Sequence, residues 1–265
     1  NRNLITEALE CGVDTILTCD NGIAAIEEIA YAKEAGMTVL VTDHHEIPFK
    51  DVDGERIYMR SEADAIVNPH QKTCTFPYKD LCGAGVAWAV IVALYEKNNI
   101  EQREVEDLLE FVAFATVGDI MSLTGLNRIL VKEGLKRIHH TTNIGMRALV
   151  SQCGLLPEQI DTYHFGFVLG PCINAAGRLD TARRALRLFI SESPEEAAEI
   201  ADELVVLNEE RKEMTRQGVE EAKQLVEEGG YEKDPVLILY LPDVHESIAG
   251  IIAGRIRECY YRPTF

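Results

Sequence analysis

Short β-branched runs alternate with longer amphipathic stretches in the first third of the chain. Thr15 to Cys19 (TILTC) reads as a buried strand, Asp20-Asn21-Gly22 as a tight turn, and Ile23 to Ala35 as an amphipathic helix of 3.6-residue period. A second β-branched run, Thr38 to Thr42, follows. This is one β-α-β unit; its right-handed crossover makes the two strands parallel and puts their carboxyl ends on one edge of the sheet. Lys50 to Ser61, polar and with Asp53-Gly54 inside it, reads as a surface loop or hairpin, and Asp64 to Asn68 (DAIVN) as a third short strand stopped by Pro69. The fold class these elements predict is α/β, a mostly parallel sheet flanked by helices.

Helical periodicity then takes over. Gly83-Ala84-Gly85 opens an apolar helix through Ala87, Trp88, Ile91 and Leu94, and Val105 to Thr116 is a second. Asn127 to His139 sets Ile129, Leu130, Leu135 and Ile138 against a basic face of Arg128, Lys132, Lys136 and Arg137, for which a solvated surface is the default reading. His139-His140 reads as surface. Gly170 to Asp180 (GPCINAAGRLD) reads as a small-residue loop, with Asp180 placed to cap a helix bearing Arg183, Arg184 and Arg187. Ser193-Pro194-Glu195-Glu196 is a helix start with Ser as N-cap and Pro at the first position. That helix is predicted to run to Glu228, roughly 50 Å at about 1.5 Å per residue. Ile200, Leu204, Leu207, Met214 and Leu225 form its apolar stripe, interrupted by Arg211, Gly218 and Glu221, as in a helix that packs only in parts. After Gly229-Gly230, Pro235 to Leu241 (PVLILYL) reads as a buried strand, followed by His245 and a small-residue helix from Ile248 to Ile256.

Composition sets the frame for these elements. With 265 residues, 46% hydrophobic and 26% charged, the chain is of the ordinary globular class, with no apolar run of membrane-spanning length and no signal-peptide pattern at its start. It lacks an initiator Met, which suggests a piece of something longer. Seven cysteines without a CxxC spacing read as reduced cytosolic thiols, not as zinc ligands or a disulfide frame. The formal charge of −18 opposes a nucleic-acid partner, but the 13 acidic and 4 basic residues of 192–228 carry half of it, leaving other surfaces free to focus positive potential.

Candidate chemistry gathers at the strand ends. The second strand runs into Asp43-His44-His45, where side chains that would alternate on a continuing strand can serve one cleft once the chain turns. Asp20 ends the first strand at the same edge, so two acids and two imidazoles converge. Each also has a plain reading: Asp20 as a turn aspartate holding its own backbone, the His pair as hydrogen-bonded surface. Asp119, after a near-continuous apolar run, is either a further inward acid or a helix cap. Gly83 and Gly85 at a helix start either receive phosphate on free amides or permit close packing. Asn174 and Arg178 supply amide and guanidinium donors suited to phosphate oxygens, on a stretch that serves equally as mere structure.

Asp20-Asn21-Gly22, Asp43-His44-His45, Gly83-Ala84-Gly85-Val86, Thr116-Val117-Gly118-Asp119, Asn174-Ala175-Ala176-Gly177-Arg178 and His245 through Gly250 to Arg255 together resemble the DHH superfamily of phosphoesterases. Within it they are most similar to the single-stranded-DNA-specific exonucleases, as are Asn127-Arg128 through Gly134-Leu135 and the pair Asn208 and Arg211. The resemblance implies a DHH domain over 1–191, a connector helix over 192–230 and the start of a DHHA1 domain over 231–265. It implies Asp20, His44 and Asp119 as metal ligands, with Asp20 bridging two ions in the full-length protein, and Mn²⁺ or Mg²⁺ as the metal. His45 would either support the metal ligands from behind or contact the scissile phosphate, with Asp43 orienting the imidazoles. Asn174, Arg178, His245, Arg255, Gly83 and Gly85 would bind substrate, with Arg178 and Arg255 facing the metal cleft.

The implied activity is two-metal hydrolysis of single-stranded DNA from 5′ to 3′ in repair and recombination, by a cytoplasmic monomer that meets single-strand-binding proteins or helicases. The same motifs also fit a DHH phosphoesterase of short oligonucleotides, cyclic dinucleotides or pyrophosphate, and a non-catalytic DHH scaffold. The superfamily's first motif, an Asp-x-Asp pair upstream of Asp20, does not occur in these residues, so by themselves they are not expected to form a competent two-metal site. Cys172 stands where many members have Arg, removing one phosphate contact.

Overall fold

A computed structural model describes residues 1–179 and 181–265, so the cap predicted at Asp180 lies outside the described residues. The chain divides into two units, Asn1–His140 and Thr141–Phe265. In the first unit, α1 (Arg2–Glu10), β1 (Thr15–Cys19), α2 (Ile26–Glu34) and β2 (Thr38–Thr42) form the expected β-α-β crossover. After the hairpin of β3 (Phe49–Val52) and β4 (Glu55–Tyr58), β5 (Ala65–Val67) completes a parallel sheet of order β1-β2-β5. Its register pairs Thr15 with Thr38 and Thr42 with Val67, which sets Asp20, Asp43 and Asn68 at one edge. Ile5, Ile29, Ala32, Met37, Val39 and Val41 form the core between this sheet and α1 and α2.

β1 is not the buried strand its apolar sequence predicts. It lies at the sheet's side with Leu17 65% exposed, because among the described residues only β2 pairs with it. The helix after Asp20 begins at Ile26, three residues later than its periodicity suggests, since Gly22 to Ala25 is used in turning the chain.

The remainder of the unit is helical: α3 (Gly83–Asn98), α4 (Arg103–Asp107), α5 (Leu109–Gly118) and α6 (Gly125–Ile138). The single helix predicted from Val105 to Thr116 is thus two, meeting at Leu108. Leu81, Val86, Leu109, Val112 and Leu130 form the core under these helices. A Cβ on Gly134 would come within 2.2 Å of the Leu109 carbonyl oxygen, so α5 and α6 can cross this closely only with glycine there.

The second unit is built on α11 (Pro194–Gly229), a 36-residue helix that Ser193 caps by accepting the Glu196 N–H and that ends at Gly230 with φ of 67°. Before it come α7 (Ile144–Gln152), the one-turn α8 (Thr162–His164), a π-helical turn over Phe165–Leu169, α9 (Gly170–Leu179) and α10 (Ala182–Ile190). The stretch read as a loop from Gly170 is therefore helical. Its small residues Gly170, Ala175 and Ala176 are buried, and they serve close helix packing. Asn208 and Gly218 likewise lie on the buried side of α11; Gly218 receives the Ile252 side chain and does not interrupt the packed face.

Pro235 to Leu241 is not a buried strand but an extended segment bridged, among the described residues, only to 263–265, with Leu237 buried while Ile238 and Tyr240 are 80% and 83% exposed. A continuous apolar run cannot reveal which alternate residues will find a partner. Leu237 joins Ala222, Val226, Ile248, Ile252 and Ile256 in the core between α11 and α12 (Glu246–Tyr260). No helix of the described residues is long and apolar enough to cross a membrane.

Candidate metal centre

The carboxyl edge of the sheet brings the first unit's predicted site residues together. Asp20 takes φ of 62°, a left-handed conformation that Asp tolerates, and Gly22 follows at 105°. The turn is fastened by Thr18 Oγ1 donating to the Asn21 carbonyl over 2.7 Å, and a Cβ on Gly22 would approach that hydroxyl to 2.8 Å. His44 Nε2 lies 3.0 Å from Asp20 Oδ1 and 3.4 Å from Oδ2 of Asp119, the residue that ends α5. That nitrogen is buried and has no hydrogen-bond partner among the described residues. One ligand atom from each of Asp20, His44 and His45 lies within 4.8 Å of the others.

Asp43 works behind this face. It is 1% exposed and accepts the N–H groups of Ile23, His44 and His45 at 2.9, 2.7 and 3.2 Å, and His45 Nδ1 at 2.7 Å. Burial opposes its ionisation, but these donors outweigh it and hold the carboxyl below the usual carboxylate range. The hydrogen bond to Asp43 in turn raises the His45 pKa, against partial desolvation. With Nδ1 engaged, His45 presents Nε2 as its free ring nitrogen.

Two further residues support this face, and of them the sequence singles out only Gly83. Asn68, buried at the end of β5, donates to the His45 carbonyl at 2.9 Å and accepts the His70 N–H at 2.8 Å. Its place after the third parallel strand, level with Asp20 and Asp43, was the available signal. Gly83 lies against Asp20 so closely that a Cβ would sit 2.4 Å from its Oδ1. Gly85 donates its N–H to Cys82 Sγ over 3.4 Å and packs on Leu81, the close-packing use of a glycine.

The donor set fits a hard or borderline divalent cation, since carboxylate oxygens and imidazole nitrogen together suit Mn²⁺, with Mg²⁺ accommodated through the carboxylates. A buried ring nitrogen facing two carboxylates without a hydrogen bond is the arrangement such an ion completes.

Residues 2–116 match the model of the DHH family, N-terminal domain. This part of the chain is similar to a DHH domain. In an alignment of 273 positions that takes in 98% of the chain, the chain is 36% identical to the single-stranded-DNA-specific exonuclease RecJ of Salmonella typhimurium and spans 46% of that protein's length. The fold superposes on the crystal structure of RecJ in complex with Mn²⁺ from Thermus thermophilus with a TM-score of 0.83 and 31% identity, covering the whole of this chain and 38% of that one. A crystal structure of exonuclease RecJ bound to manganese matches at a TM-score of 0.84 and 30% identity, with 63% of that chain covered. The chain thus spans about half the length of the curated relative it matches.

The second unit places its predicted residues differently. Asn174 and Arg178 are exposed one turn apart on α9, and Arg178 Nη1 donates to the Ser247 carbonyl at 2.6 Å. His245 caps α12, its Nδ1 accepting the Ser247 N–H at 3.3 Å and lying 2.7 Å from Ser247 Oγ. Arg255 lies eight residues beyond Ser247 on the same helix, about 12 Å along its axis, and pairs with Glu258 at 3.3 Å. Arg211 donates to Asn208 Oδ1 at 2.9 and 3.2 Å, and Asn208 donates to Cys172 Sγ at 3.5 Å. Burial, and after it the charge of Arg178, lowers the Arg211 pKa, as expected where cations gather. Cys172 is buried among Cys153, Val168 and Asn208.

Proposed function

We propose that this chain carries the metal-binding half of a 5′ to 3′ exonuclease of single-stranded DNA, of the RecJ type, acting in repair and recombination. The observation that carries this reading is His44 Nε2, buried, unpartnered among the described residues and set between the carboxylates of Asp20 and Asp119. Asp20, His44 and Asp119 would hold Mn²⁺ or Mg²⁺, with a second ion completed in the full-length protein by carboxylates outside these residues. When bound, the metal supplies charge neutralisation at the phosphate and lowers the pKa of water.

The chain's own residues supply the rest. Asp43 fixes the His45 ring and keeps Nδ1 occupied, so that Nε2 is the atom turned to a phosphate oxygen. Gly83 lets the start of α3 close on Asp20, which limits the positions that carboxylate can take. Asn174, Arg178, His245 and Arg255 serve as substrate donors: Arg178 as a bidentate phosphate partner, Arg255 as a positioning contact. Division into a DHH domain over 1–191, a connector over 192–230 and the start of DHHA1 over 231–265 belongs to this reading. Seven cysteines, all free, fit a reducing compartment such as the cytoplasm. Single-strand-binding proteins or helicases as partners, and a monomeric state, follow from the same reading.

The test is Mn²⁺ calorimetry on the chain and on Asp20→Asn, which keeps a side chain that tolerates φ of 62°. Measurable Mn²⁺ binding by the wild type and its loss in the variant is the expected result. Equal binding by both would remove Asp20 from the site, and the reading with it.

A further inference from the structure

The β3–β4 hairpin follows the metal centre directly and has no role in holding it. All eight of its strand residues are exposed, including Phe49 and Tyr58, each 41% accessible. A hairpin that neither joins the main sheet nor buries an apolar face is costly to keep unless something binds it. Its register makes Phe49 and Tyr58 cross-strand partners on one face, with ring centroids 6.0 Å apart. Each ring carries a cation: Arg56 stacks over Phe49 at 4.5 Å, and Lys72, from the segment after β5, over Tyr58 at 4.4 Å.

Tyr58, Arg60, His70 and Lys72 also line a cavity of about 210 Å³ whose inner wall includes Ile23 and Ile47. Ile23 gives its N–H to Asp43, and Ile47 is two residues beyond His45, so the cavity adjoins the segments that hold Asp43, His44 and His45. Arg56, Arg60 and Lys72 outweigh Asp51, which shares the hairpin face of Arg56, and Glu46, which lies 3.5 Å from His70 of the cavity wall, in a chain of net charge −18. Paired aromatic rings with adjacent cations match a ligand that alternates flat bases with phosphates.

We propose that this hairpin face is a binding platform for single-stranded nucleic acid, with bases stacking at Phe49 and Tyr58 and the backbone running past Arg56, Lys72 and Arg60. The proposal deepens the nuclease reading, in that it assigns the strand a path on the first unit, but it requires no catalysis. A protein partner is disfavoured because a ribbon that binds by apolar contact does not need a cation over each ring.

The test is fluorescence anisotropy of a fluorescein-labelled twelve-residue oligo-dT with the 265-residue chain in EDTA at fixed low salt. Phe49→Ala with Tyr58→Ala should weaken binding about tenfold to a hundredfold. Lys72→Gln should weaken it less and reduce the salt slope by about one. Ile57→Ser, on the opposite hairpin face, should leave affinity unchanged. Circular-dichroism melting checks that the variants fold, and photocrosslinking of iododeoxyuridine oligonucleotides to the wild-type chain should label Phe49 or Tyr58.

Undiminished affinity in the double variant, or crosslinks only elsewhere, would overturn the platform and leave the nuclease reading standing. Weakened binding together with unaltered Mn²⁺ affinity in Asp20→Asn would keep the platform and sink the metal-centre reading. If the double variant changed the sedimentation coefficient while DNA affinity held, the face would be a contact between copies of the chain and the proposal wrong.

Discussion

The polar residues of the candidate metal centre and those of the α9–α12 region are held in opposite ways. Asp20, His44 and Asp119 arrive from a strand end, a second strand end and a helix end, and they converge on a buried nitrogen that none of them satisfies. Arg255 and His245 meet partners two or three residues away, and Arg178 meets a carbonyl, all in solvent. Long-range convergence on an unsatisfied buried atom costs stability and persists only where something else completes it. Exposed pairs at the surface, whether local as at His245 and Arg255 or long-range as at Arg178, cost little and signal little. The first region therefore argues for a ligand by itself, whereas the second does so only through its likeness to known nucleases.

Asp20→Asn should produce the largest effect. Mn²⁺ affinity by calorimetry should fall by more than about 100-fold, beyond the range for residues that merely support a ligand. The metal-free melting temperature should hardly move, because no hydrogen bond of the fold is lost; a large drop would mean that Asp20 is structural.

Gly83→Ala comes next. The added methyl would lie 2.4 Å from the Asp20 carboxylate, so Asp20 or α3 must shift. A loss of about 1–3 kcal/mol by denaturant unfolding and of roughly tenfold or more in Mn²⁺ affinity are expected together. A stable variant with normal metal binding would show that Gly83 exerts no control over Asp20.

Arg178→Ala should weaken single-stranded DNA binding about tenfold, the value of a charge-assisted phosphate contact, with Mn²⁺ affinity unchanged. Loss of metal binding would erase the distinction between the two regions. Gly250→Ala, on α12 with nothing within 4 Å of its added methyl, should stabilise the protein by about 0.5–1 kcal/mol, the reverse of Gly83→Ala. Arg255→Ala should change stability by less than about 0.5 kcal/mol, because its bond to Glu258 is an exposed pair three residues apart.

Much of the first unit was legible because its signals are local. β-branched runs punctuated by Asp-Asn-Gly and by Asp-His-His, with one helix between, admit one handedness and one edge, and β1, β2 and their parallel pairing follow. The helix from Pro194 to Gly229 was equally plain, its N-cap and its terminal glycine being written at both ends. The failures share a cause. Gly170 to Leu179 looked like a loop because glycine, proline and alanine mark both turns and closely packed helices, and only the neighbouring helices decide between them. Pro235 to Leu241 looked buried because apolar character does not say how many faces will be covered.

The sequence alone placed Asp20 and Asp43-His44-His45 at the ends of two parallel strands on one edge, since parallel pairing and the two-residue period of a strand are properties of short segments. Only tertiary structure decided that Asp119 reaches His44, that Asn68 anchors His45 and that Gly83 confines Asp20. Those are meetings of atoms 23 to 75 positions apart in the chain, and their distances depend on how sheet and helices pack, which no short stretch of sequence encodes.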